Sequence, residues 1–383
     1  MIIISLATLL WAASASGQEL TFLNLDANQI TMNGADWRGV RRALPQRSSN
    51  SATKFHIVQI GDSHIQPGIL SGEARRKLQS RYGNGGRGLI APLALAGTNE
   101  PSNYRFSSSA RVAGKSRLMS RSWSVDNGVT GVAVRFGGST TNLSIKDKSG
   151  DAFSSVTLFH APGSYDSAVL NGSTISASAT SQWTSHFTLP HPSSEVTLSS
   201  LPCTTAFWGA FLLNDRPGIV YSEIGNNGAT YSLYNKIEGF AEQMAQLRPN
   251  LIILSMGTNE AVGYVESLES HLDKMVSNLS RTCPEAAILI TTPMEFQKRG
   301  GRGFVVNSNA HRARDIIMEY GRNHKIAVWD MFSICGGDGC SSKWIANKLM
   351  NPRDHLHLLS AGYELQGMML GDALLKAFTA RNL

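Results

Sequence analysis

A serine nucleophile and an acid–base pair can be picked out far apart in the chain. Ser63 stands in residues 61–64 (GDSH), directly after an apolar run, and His357 follows Asp354 by three positions in residues 354–357 (DHLH). A carboxylate at this spacing can hold an imidazole in one tautomer while its other nitrogen takes the proton of a hydroxyl. Either segment alone also has a structural interpretation, because Asp and Ser are common helix N-cap and turn residues.

Two further segments could supply hydrogen-bond donors for the negative charge that such chemistry develops. Residues 225–230 (GNNGAT) follow an apolar run, and a glycine there lets a ligand approach the backbone and meet an N–H. In residues 257–260 (GTNE), which also follow an apolar run, the side-chain amide of Asn259 can donate to an oxyanion. Each segment alone is equally typical of a plain turn.

The segments that must position these residues alternate between two patterns. Continuous apolar runs predict strands buried on both faces of a parallel sheet, at residues 54–60, 218–224, 251–256, 286–292 and 325–331. Helical patterns lie at residues 72–82, 233–247, 263–281, 309–323 and 360–378. The alternation predicts a layered α/β/α domain, whose ligand site forms at the carboxyl edge of the sheet.

Residues 103–214 have a different character. They are rich in Ser, Thr, Gly and Asn, and turn residues separate their short strand-like pieces, which is typical of a β-sandwich. We therefore expect an all-β module inserted into the α/β domain, whose two parts are residues 18–102 and 215–383. Such insertions occur at exposed loops of a host whose core stays intact.

The composition excludes several classes of protein. Of 383 residues, 42% are hydrophobic and 16% are charged, which argues against a disordered chain and against a coiled coil. The formal net charge of +7 favours an anionic partner, such as a cell-wall polymer, nucleic acid or a membrane surface, without choosing among them. Residues 83–88 (GNGGRG) follow a helical pattern and not a strand, so they predict a helix C-cap and turn instead of a phosphate-binding loop.

The N-terminal residues predict export. Residues 2–12 (IIISLATLLWA) are apolar but too few to span a bilayer, and small residues follow, so residues 1–17 are typical of a signal peptide. We expect a soluble mature protein beginning near Gln18, because no later run is long enough for a transmembrane helix. A disulfide between Cys335 and Cys340 is chemically allowed in an exported protein, and no cysteine pair has zinc-site spacing.

The four chemistry-bearing segments resemble those of the SGNH (GDSL-type) hydrolases in residue type and in chain order, which is Ser, Gly, Asn, and then Asp with His. GDSH stands where the family name implies GDSL, and GTNE where G-x-N-D is frequent, but neither departure removes a catalytic atom. Longer stretches are similar to the periplasmic peptidoglycan O-acetylesterases of Gram-negative bacteria: IGDSHIQ, RRKLQSRYGNGGRGL, IGNNGATYSLYN, PNLIILSMGTNEA and KW…RDHLHLLSAGYELQG. The resemblance implies a three-layer α/β/α, flavodoxin-like SGNH hydrolase domain with an inserted all-β domain like a carbohydrate-binding module.

The resemblance also implies a role for each site residue. Ser63 is expected to be the nucleophile, His357 the general base and Asp354 the residue that orients the base. The backbone N–H groups of Ser63 and Gly228 and the side-chain amide of Asn259 are expected to bind the oxyanion. No metal or cofactor is required.

Four neighbours of these residues have less definite roles. Asp62, His64 and Glu260 could each support a catalytic residue without contacting substrate. Alternatively, Asp62 could cap a helix, His64 could contact substrate or simply pack, and Glu260 could be a solvated residue of an exposed loop. His355 could act as the base in place of His357, but the D-x-x-H spacing favours His357. Sequence alone does not separate these alternatives.

The expected function follows from the resemblance. It implies an exported, periplasmic serine esterase that removes O-acetyl groups from the muramic acid C6 hydroxyls of peptidoglycan through an acetyl-serine intermediate. The residues alone indicate only a serine ester hydrolase or an acyl transferase. An acetylesterase acting on xylan or sialic acid and a peptidoglycan O-acetyltransferase therefore remain alternatives, and a non-enzymatic glycan-binding protein is disfavoured because all three triad residue types are present.

The expected partner is O-acetylated peptidoglycan or another acetylated glycan, with no nucleic acid and no stable membrane insertion. Four aromatic residues of the β module could stack on sugars, although at least two are expected in its core: Trp123, Tyr165, Trp183 and Trp208.

Overall fold

A computed structural model describes residues 20–45 and 53–380 of the chain. The predicted signal peptide, residues 1–17, and the expected start near Gln18 lie outside the described residues. The strands are β1 (Lys54–Gly61), β2 (Asn84–Gly86), β3 (Gly88–Ile90), β4 (Tyr104–Ser108), β5 (Val112–Arg117), β6 (Val132–Phe136), β7 (Thr140–Asp147), β8 (Phe153–His160), β9 (Ser167–Leu170), β10 (Ser173–Ser176), β11 (Ala179–Thr180), β12 (Thr184–Ser193), β13 (Glu195–Pro202), β14 (Phe207–Leu213), β15 (Gly218–Gly225), β16 (Leu251–Ser255), β17 (Ala287–Thr291), β18 (Gln297–Gly300), β19 (Gly303–Val306) and β20 (Ala327–Trp329).

The helices lie mainly between the strands of the second half of the chain. They are α1 (Arg38–Ala43), α2 (Ile69–Tyr82), α3 (Tyr231–Tyr234), α4 (Phe240–Ala245), α5 (Thr258–Val262), α6 (Leu268–Thr282), α7 (Ser308–His324), α8 (Met331–Ile334), α9 (Cys340–Ala346) and α10 (Ser360–Thr379), with short 3-10 turns at Leu25–Ala27 and Val265–Ser267. Among the described residues, no helix is long and apolar enough to cross a membrane.

The central sheet is parallel throughout, in the order β2-β15-β1-β16-β17-β20. Apart from the short edge strand β2, this is the 2-1-3-4-5 order of flavodoxin-like folds. In that order the connection from β1 runs to β15 on one side, and the next connection runs to β16 on the other side. A crevice therefore forms at the carboxyl ends of β1 and β16. The mixed α/β fold with a parallel central sheet is therefore confirmed.

Alternate residues of β1 belong to two different hydrophobic cores, because successive side chains of a strand point to opposite faces. Val58 and Ile60 pack on one face with residues of α6 and α7. Phe55 and Ile57 pack on the other face with residues of α2 and α10. Helices therefore cover both faces, as the continuous apolar runs predict.

Strands β4 to β14 form two antiparallel sheets around a third apolar core. One sheet has the order β10-β9-β13-β7-β4, and the other has the order β11-β12-β8-β14-β6-β5, with β3 also paired to β14. Two of the four aromatic residues that the sequence singled out, Tyr165 and Trp208, are buried in this region, whereas Trp123 and Trp183 are partly exposed. The boundaries at residues 103 and 214 stay a prediction.

Local structure departs from the sequence expectation in several places. The helix expected over residues 233–247 is two short helices, because Gly239 between them has a φ of +64°. Residues 83–88 hold the expected helix C-cap at Gly83, but β2 and part of β3 follow where a turn was expected. The disulfide that the sequence allowed is not formed, since Cys335 and Cys340 are both buried free thiols.

Candidate active site

Three loops that carry site residues leave the sheet at one level. Gly61, the last residue of β1, is in register with Gly225 at the end of β15 and with Ser255 at the end of β16. The segments that follow these residues hold Ser63, Gly228 and Asn259. The sheet register thus brings together residues that are far apart in sequence.

Ser63 lies on a tight turn and not on a helix. The carbonyl of Asp62 accepts hydrogen bonds from the backbone N–H groups of Ile65 and Gln66, and α2 begins only at Ile69. The turn folds closely over the end of β15, because a Cβ on Gly225 would lie 2.2 Å from the Gln66 nitrogen. Only glycine at that position allows the approach.

Ser63, His357 and Asp354 form a continuous chain of contacts. The Ser63 Oγ lies 2.9 Å from Nε2 of His357, and Nδ1 of His357 lies 3.1 Å from Oδ2 of Asp354. A proton on Nδ1 donated to the carboxylate leaves Nε2 as an acceptor for the serine hydroxyl. The side chains of His357 and Asp354 are each 39% exposed, so this arrangement opens to solvent.

The carboxylate of Asp354 is fixed by several donors. Oδ1 accepts the backbone N–H groups of Leu356 and His357, each at 3.0 Å, and Oδ2 accepts the side-chain amide of Asn351 at 3.0 Å. Partial burial alone would raise the pKa of Asp354, but the two backbone hydrogen bonds and the contact with His357 outweigh it and lower the pKa. The group is therefore held as a carboxylate.

His355 faces away from Ser63. Its Nδ1 lies 2.7 Å from Oε1 of Gln297, and its ring stacks on Phe304 with the centroids 3.7 Å apart. Both partners belong to the β18–β19 hairpin, which the sequence did not predict. The geometry therefore brings His357, and not His355, to Ser63.

Asn259 connects the loops that carry Ser63 and Gly228. Its Nδ2 donates to the carbonyl of Ala229 at 2.9 Å and lies 3.4 Å from Oδ2 of Asp62. One N–H is therefore used within the protein, and the longer contact leaves the other only weakly bound. Gly228 has a φ of +74°, a backbone conformation that favours glycine.

Two buried carboxyl groups lie behind this arrangement. Burial raises the pKa of Asp62 to about 7, and although the backbone N–H of His64 opposes the shift, Glu260 adds to it. Burial also raises the pKa of Glu260, whose Oε1 accepts the backbone N–H of Tyr231 at 2.8 Å. Glu260 thus lies in the interior, where it fixes the start of α3.

His64 lies beside His357, with the ring centroids 5.5 Å apart, and its Nδ1 is 3.2 Å from the Tyr363 hydroxyl. Desolvation, followed by the repulsion of a charged His357, lowers the pKa of His64. The ring is therefore neutral near pH 7, and it adds no positive charge next to His357.

Sequence reasoning did not identify several residues that shape the site. Asn351 binds Asp354, Tyr363 binds His64, and Gln66 accepts the backbone N–H of Asn227 at 2.6 Å. Met119, in the segment between β5 and β6, lies over Gly228. A Cβ added to Gly228 would be 2.8 Å from Cγ of Met119. Gln66, Asn351 and Tyr363 each follow or precede a motif closely, whereas Met119 carries no sequence signal.

One cluster outside this site has the residue types of a metal site. Glu295, His311 and Asp338 bring ligand-type atoms within 4.8 Å of one another. Glu295 already accepts the backbone N–H groups of Gly339 and Ser341 and the Ser341 hydroxyl. These donors at the start of α9 account for the carboxylate, so we assign it a structural role.

Comparison with known proteins relates part of the chain to a family of hydrolases. The model of the GDSL-like lipase/acylhydrolase family matches residues 194–365, a range that contains Gly228, Asn259, Asp354 and His357. No curated protein matches the chain.

Among solved structures, a peptidoglycan O-acetylesterase is similar over 91% of this chain and 99% of its own, with 23% identity and a TM-score of 0.76. The YxiM protein of Bacillus subtilis is similar over 76% and 91%, with 13% identity and a TM-score of 0.36. An acetylxylan esterase from Geobacillus stearothermophilus is similar over 42% and 73%, with 15% identity and a TM-score of 0.32. Residues 194–365 are therefore similar to the GDSL-like lipase/acylhydrolase family, which supports an esterase, and the chain as a whole shares its fold with a solved peptidoglycan O-acetylesterase.

Proposed function

We propose that this esterase removes O-acetyl groups from peptidoglycan, at the C6 hydroxyl of muramic acid. The observation that carries the chemistry is the contact of Ser63 with His357 and of His357 with Asp354 at the carboxyl edge of the sheet. The substrate is supported by the likeness to the solved peptidoglycan O-acetylesterase along nearly the full length of both chains.

In the first half-reaction, the Ser63 Oγ attacks the acetyl carbonyl carbon while Nε2 of His357 accepts the hydroxyl proton. Asp354 stabilises the imidazolium that forms. Collapse of the tetrahedral intermediate breaks the bond to the sugar oxygen, which takes the proton from His357. The products are the free sugar hydroxyl and acetyl-Ser63.

In the second half-reaction, water attacks the acetyl-serine with His357 again as the base, and acetate leaves. The oxyanion of both intermediates is bound by the N–H groups of Ser63 and Gly228 and by Nδ2 of Asn259. Each donor is worth ~10²–10³ in kcat for enzymes of this type. Asn259 uses its weakly bound N–H, the one directed toward Asp62, for this contact.

The openness of the site supports a polymeric substrate. The side chains of His357 and Asp354 are each 39% exposed, so a glycan strand reaches them without a lid movement. We propose that the two antiparallel sheets form an inserted module like a carbohydrate-binding module, which borders the cleft through Met119. Export to the periplasm through residues 1–17 completes the proposal, since peptidoglycan lies there.

The test is acetate release from O-acetylated peptidoglycan by wild type, Ser63→Ala and the control Ser80→Ala, whose serine is exposed on α2. We expect release by wild type and Ser80→Ala and none by Ser63→Ala, with all three folded by circular dichroism. Acetylated xylan and an O-acetylated sialic acid serve as competing substrates. Release of acetate from either competing substrate but not from peptidoglycan would contradict the proposed substrate and leave the proposed mechanism intact.

The transferase alternative is tested in the same reaction with an added glycan oligomer as acceptor. A hydrolase gives free acetate at the same rate with and without the oligomer. Acetylation of the oligomer faster than acetate release would overturn the hydrolase assignment.

A further inference from the structure

A second cleft lies where the antiparallel sheets meet the α/β domain. It has a volume of about 690 Å³, within the ~300–1,000 Å³ range of small-molecule sites. One wall comes from the segment between β5 and β6 and from the segment before β12. The other wall comes from the turn between α3 and α4.

Three tryptophans line this cleft. Trp123 and Trp183 are both partly exposed, whereas Trp208 is 2% exposed. The apolar face of a pyranose ring packs on a flat indole while the ring hydroxyls stay in water, so partly exposed tryptophans suit a sugar. Gly239, on the opposite wall, lies close to Trp183, because a Cβ there would be 3.4 Å from Cζ2 of the indole, an ordinary contact distance.

Two amide side chains of the cleft keep unused hydrogen-bonding capacity. Oδ1 of Asn127 lies 2.9 Å from the Ser116 hydroxyl, and its buried Nδ2 has no partner among the described residues. Gln243 donates through Nε2 to the carbonyl of Glu238, and its buried Oε1 likewise has no partner there. Both residues are 2% exposed, and a buried polar atom without a hydrogen-bond partner is unfavourable.

The free donor and the free acceptor complement one chemical group. The acetamido group of an N-acetylated sugar offers a carbonyl oxygen to Nδ2 of Asn127 and an N–H to Oε1 of Gln243. A plain pentose or hexose offers only hydroxyl groups, each of which can donate and accept, so a comparison with such a sugar tests the acetamido assignment.

The charge of the cleft disfavours an anionic occupant. Three carboxylates line it, from Asp126, Glu238 and Glu242, against one ammonium group, from Lys236. Glu242 also pairs with Arg281, at 3.0 Å. An uncharged sugar therefore fits better than a carboxylate- or phosphate-bearing one.

The cleft lies close to the proposed reaction centre. Met119 lies against Gly228, and Trp123 follows Met119 by four residues in the segment between β5 and β6. Four residues span at most ~14 Å, so a chain of a few sugar rings connects the two places.

We propose that this cleft is a subsite for an uncharged N-acetylhexosamine unit of the glycan strand, bound between Trp123 and Trp183 while another unit of the strand reaches Ser63. The subsite holds the polymer next to the esterase centre. This inference rests on the proposed function for its biological role, but the binding itself is measured separately from turnover.

The experiment is calorimetric titration of the full chain carrying Ser63→Ala with tetra-N-acetylchitotetraose. We expect saturable binding. Trp123→Ala and Trp183→Ala are each expected to weaken it by about tenfold, whereas Trp183→Phe keeps an aromatic face and is expected to restore the affinity lost in Trp183→Ala. Gln243→Leu is expected to weaken binding similarly. Gln246→Leu, three residues further on and exposed, is the matched control and is expected to bind as the parent does.

Xylotetraose, which lacks acetamido groups, is the comparison ligand and is expected to bind at least about tenfold more weakly. Absence of saturable chitotetraose binding, or binding that none of the three lining variants weakens, would overturn the subsite. Equal affinity for xylotetraose would overturn the acetamido assignment. Acetate release by the wild type is measured in parallel, so that loss of the subsite and loss of the proposed function give different results.

Discussion

The side-chain amide of Asn259 lies 3.4 Å from Oδ2 of Asp62, a carboxyl group that is only 1% exposed. The same amide donates to the carbonyl of Ala229, so it connects the residue before Ser63 with the residue after Gly228. A single side chain thereby fixes the spacing between the proposed nucleophile and a proposed oxyanion donor.

The protonation of Asp62 gives a first prediction. Burial raises its folded-state pKa from 3.8 to about 7, so the neutral form is favoured in the folded protein. The resulting stabilisation is fully present below pH 3.8 and is lost as the pH rises through about 7, at up to about 1.4 kcal/mol per pH unit.

Asp62→Asn is therefore expected to flatten the dependence of the free energy of unfolding on pH between about 4 and 7. Urea denaturation across this range measures it, and Asp315→Asn, an exposed carboxyl on α7, is the control. Identical pH profiles for wild type and Asp62→Asn would contradict the raised pKa.

Asp354→Asn is expected to lower kcat by about 10³–10⁴-fold while leaving the fold intact. An amide that donates to Nδ1 of His357 forces the ring proton onto Nε2, which then cannot accept the proton of Ser63. Hydrolysis of a small acetyl ester measures the loss. Retention of more than a tenth of wild-type kcat would contradict the role of Asp354, and Asp315→Asn is again the control.

The two histidines of residues 354–357 give a paired prediction. His357→Gln is expected to lower kcat by ~10²–10⁴-fold, because it removes the general base. His355→Gln is expected to have a much smaller effect on kcat, since its ring lies on Phe304 and binds Gln297. The reverse order of the two effects would reassign the base.

Gly228→Ala is expected to lower kcat/KM for acetyl esters by at least about tenfold, because the φ of +74° strains alanine and moves the N–H that is proposed to bind the oxyanion. Met119→Ala removes the side chain that the new Cβ would meet. We expect the double variant to recover only part of the activity, because the backbone strain remains. Full recovery would assign the whole effect to the clash with Met119.

The buried ion pair of Arg87 and Glu223 is expected to contribute strongly to the free energy of unfolding. Their side chains are 1% and 4% exposed and lie 2.5 Å apart. Burial alone would raise the pKa of Glu223, but the neighbouring Arg87 and Arg75 outweigh it and lower the pKa. The stabilisation from Glu223 is therefore present at neutral pH and is lost as the pH falls below its unfolded value of 4.5.

Glu223→Gln is expected to destabilise the protein by about 3–5 kcal/mol, because Arg87 is left buried without its counter-charge. Glu195→Gln in the exposed pair with Lys146 is the matched control and is expected to cost about 0–1 kcal/mol. Urea denaturation at neutral pH compares the two. A similar cost for both would contradict the role of burial.

The features that sequence predicts well here depend on local pattern. The apolar run at residues 54–60 corresponds to β1 within one residue, and the D-x-x-H segment brings His357 onto Asp354. Met119 and the β18–β19 hairpin were not predicted. The hairpin is polar or exposed along much of its length, and the position of Met119 over Gly228 depends on how the antiparallel sheets rest on the α/β domain.

The separation of α3 from α4 at Gly239 also depends on tertiary contact and not on local sequence pattern. The apolar residues around it keep a helical spacing, so the pattern predicts one helix over residues 233–247. The positive φ of the glycine and the tryptophan edge that lies against it separate α3 from α4. Such a contact with Trp183 is not visible in local periodicity.

The position of β1 in the sheet has a consequence for the order in which the protein assembles. β1 pairs with β15 and β16 on its two sides, and its His56 bonds Ser222, which lies 166 positions later. Contacts at such separation form slowly, because a long loop must close before they can stabilise the chain. Ser63 and His357 are 294 positions apart, so a growing chain contains its nucleophile long before its base. We therefore expect nascent and C-terminally truncated chains to be inert toward esters, and hydrolytic competence to arise in the final stage of folding.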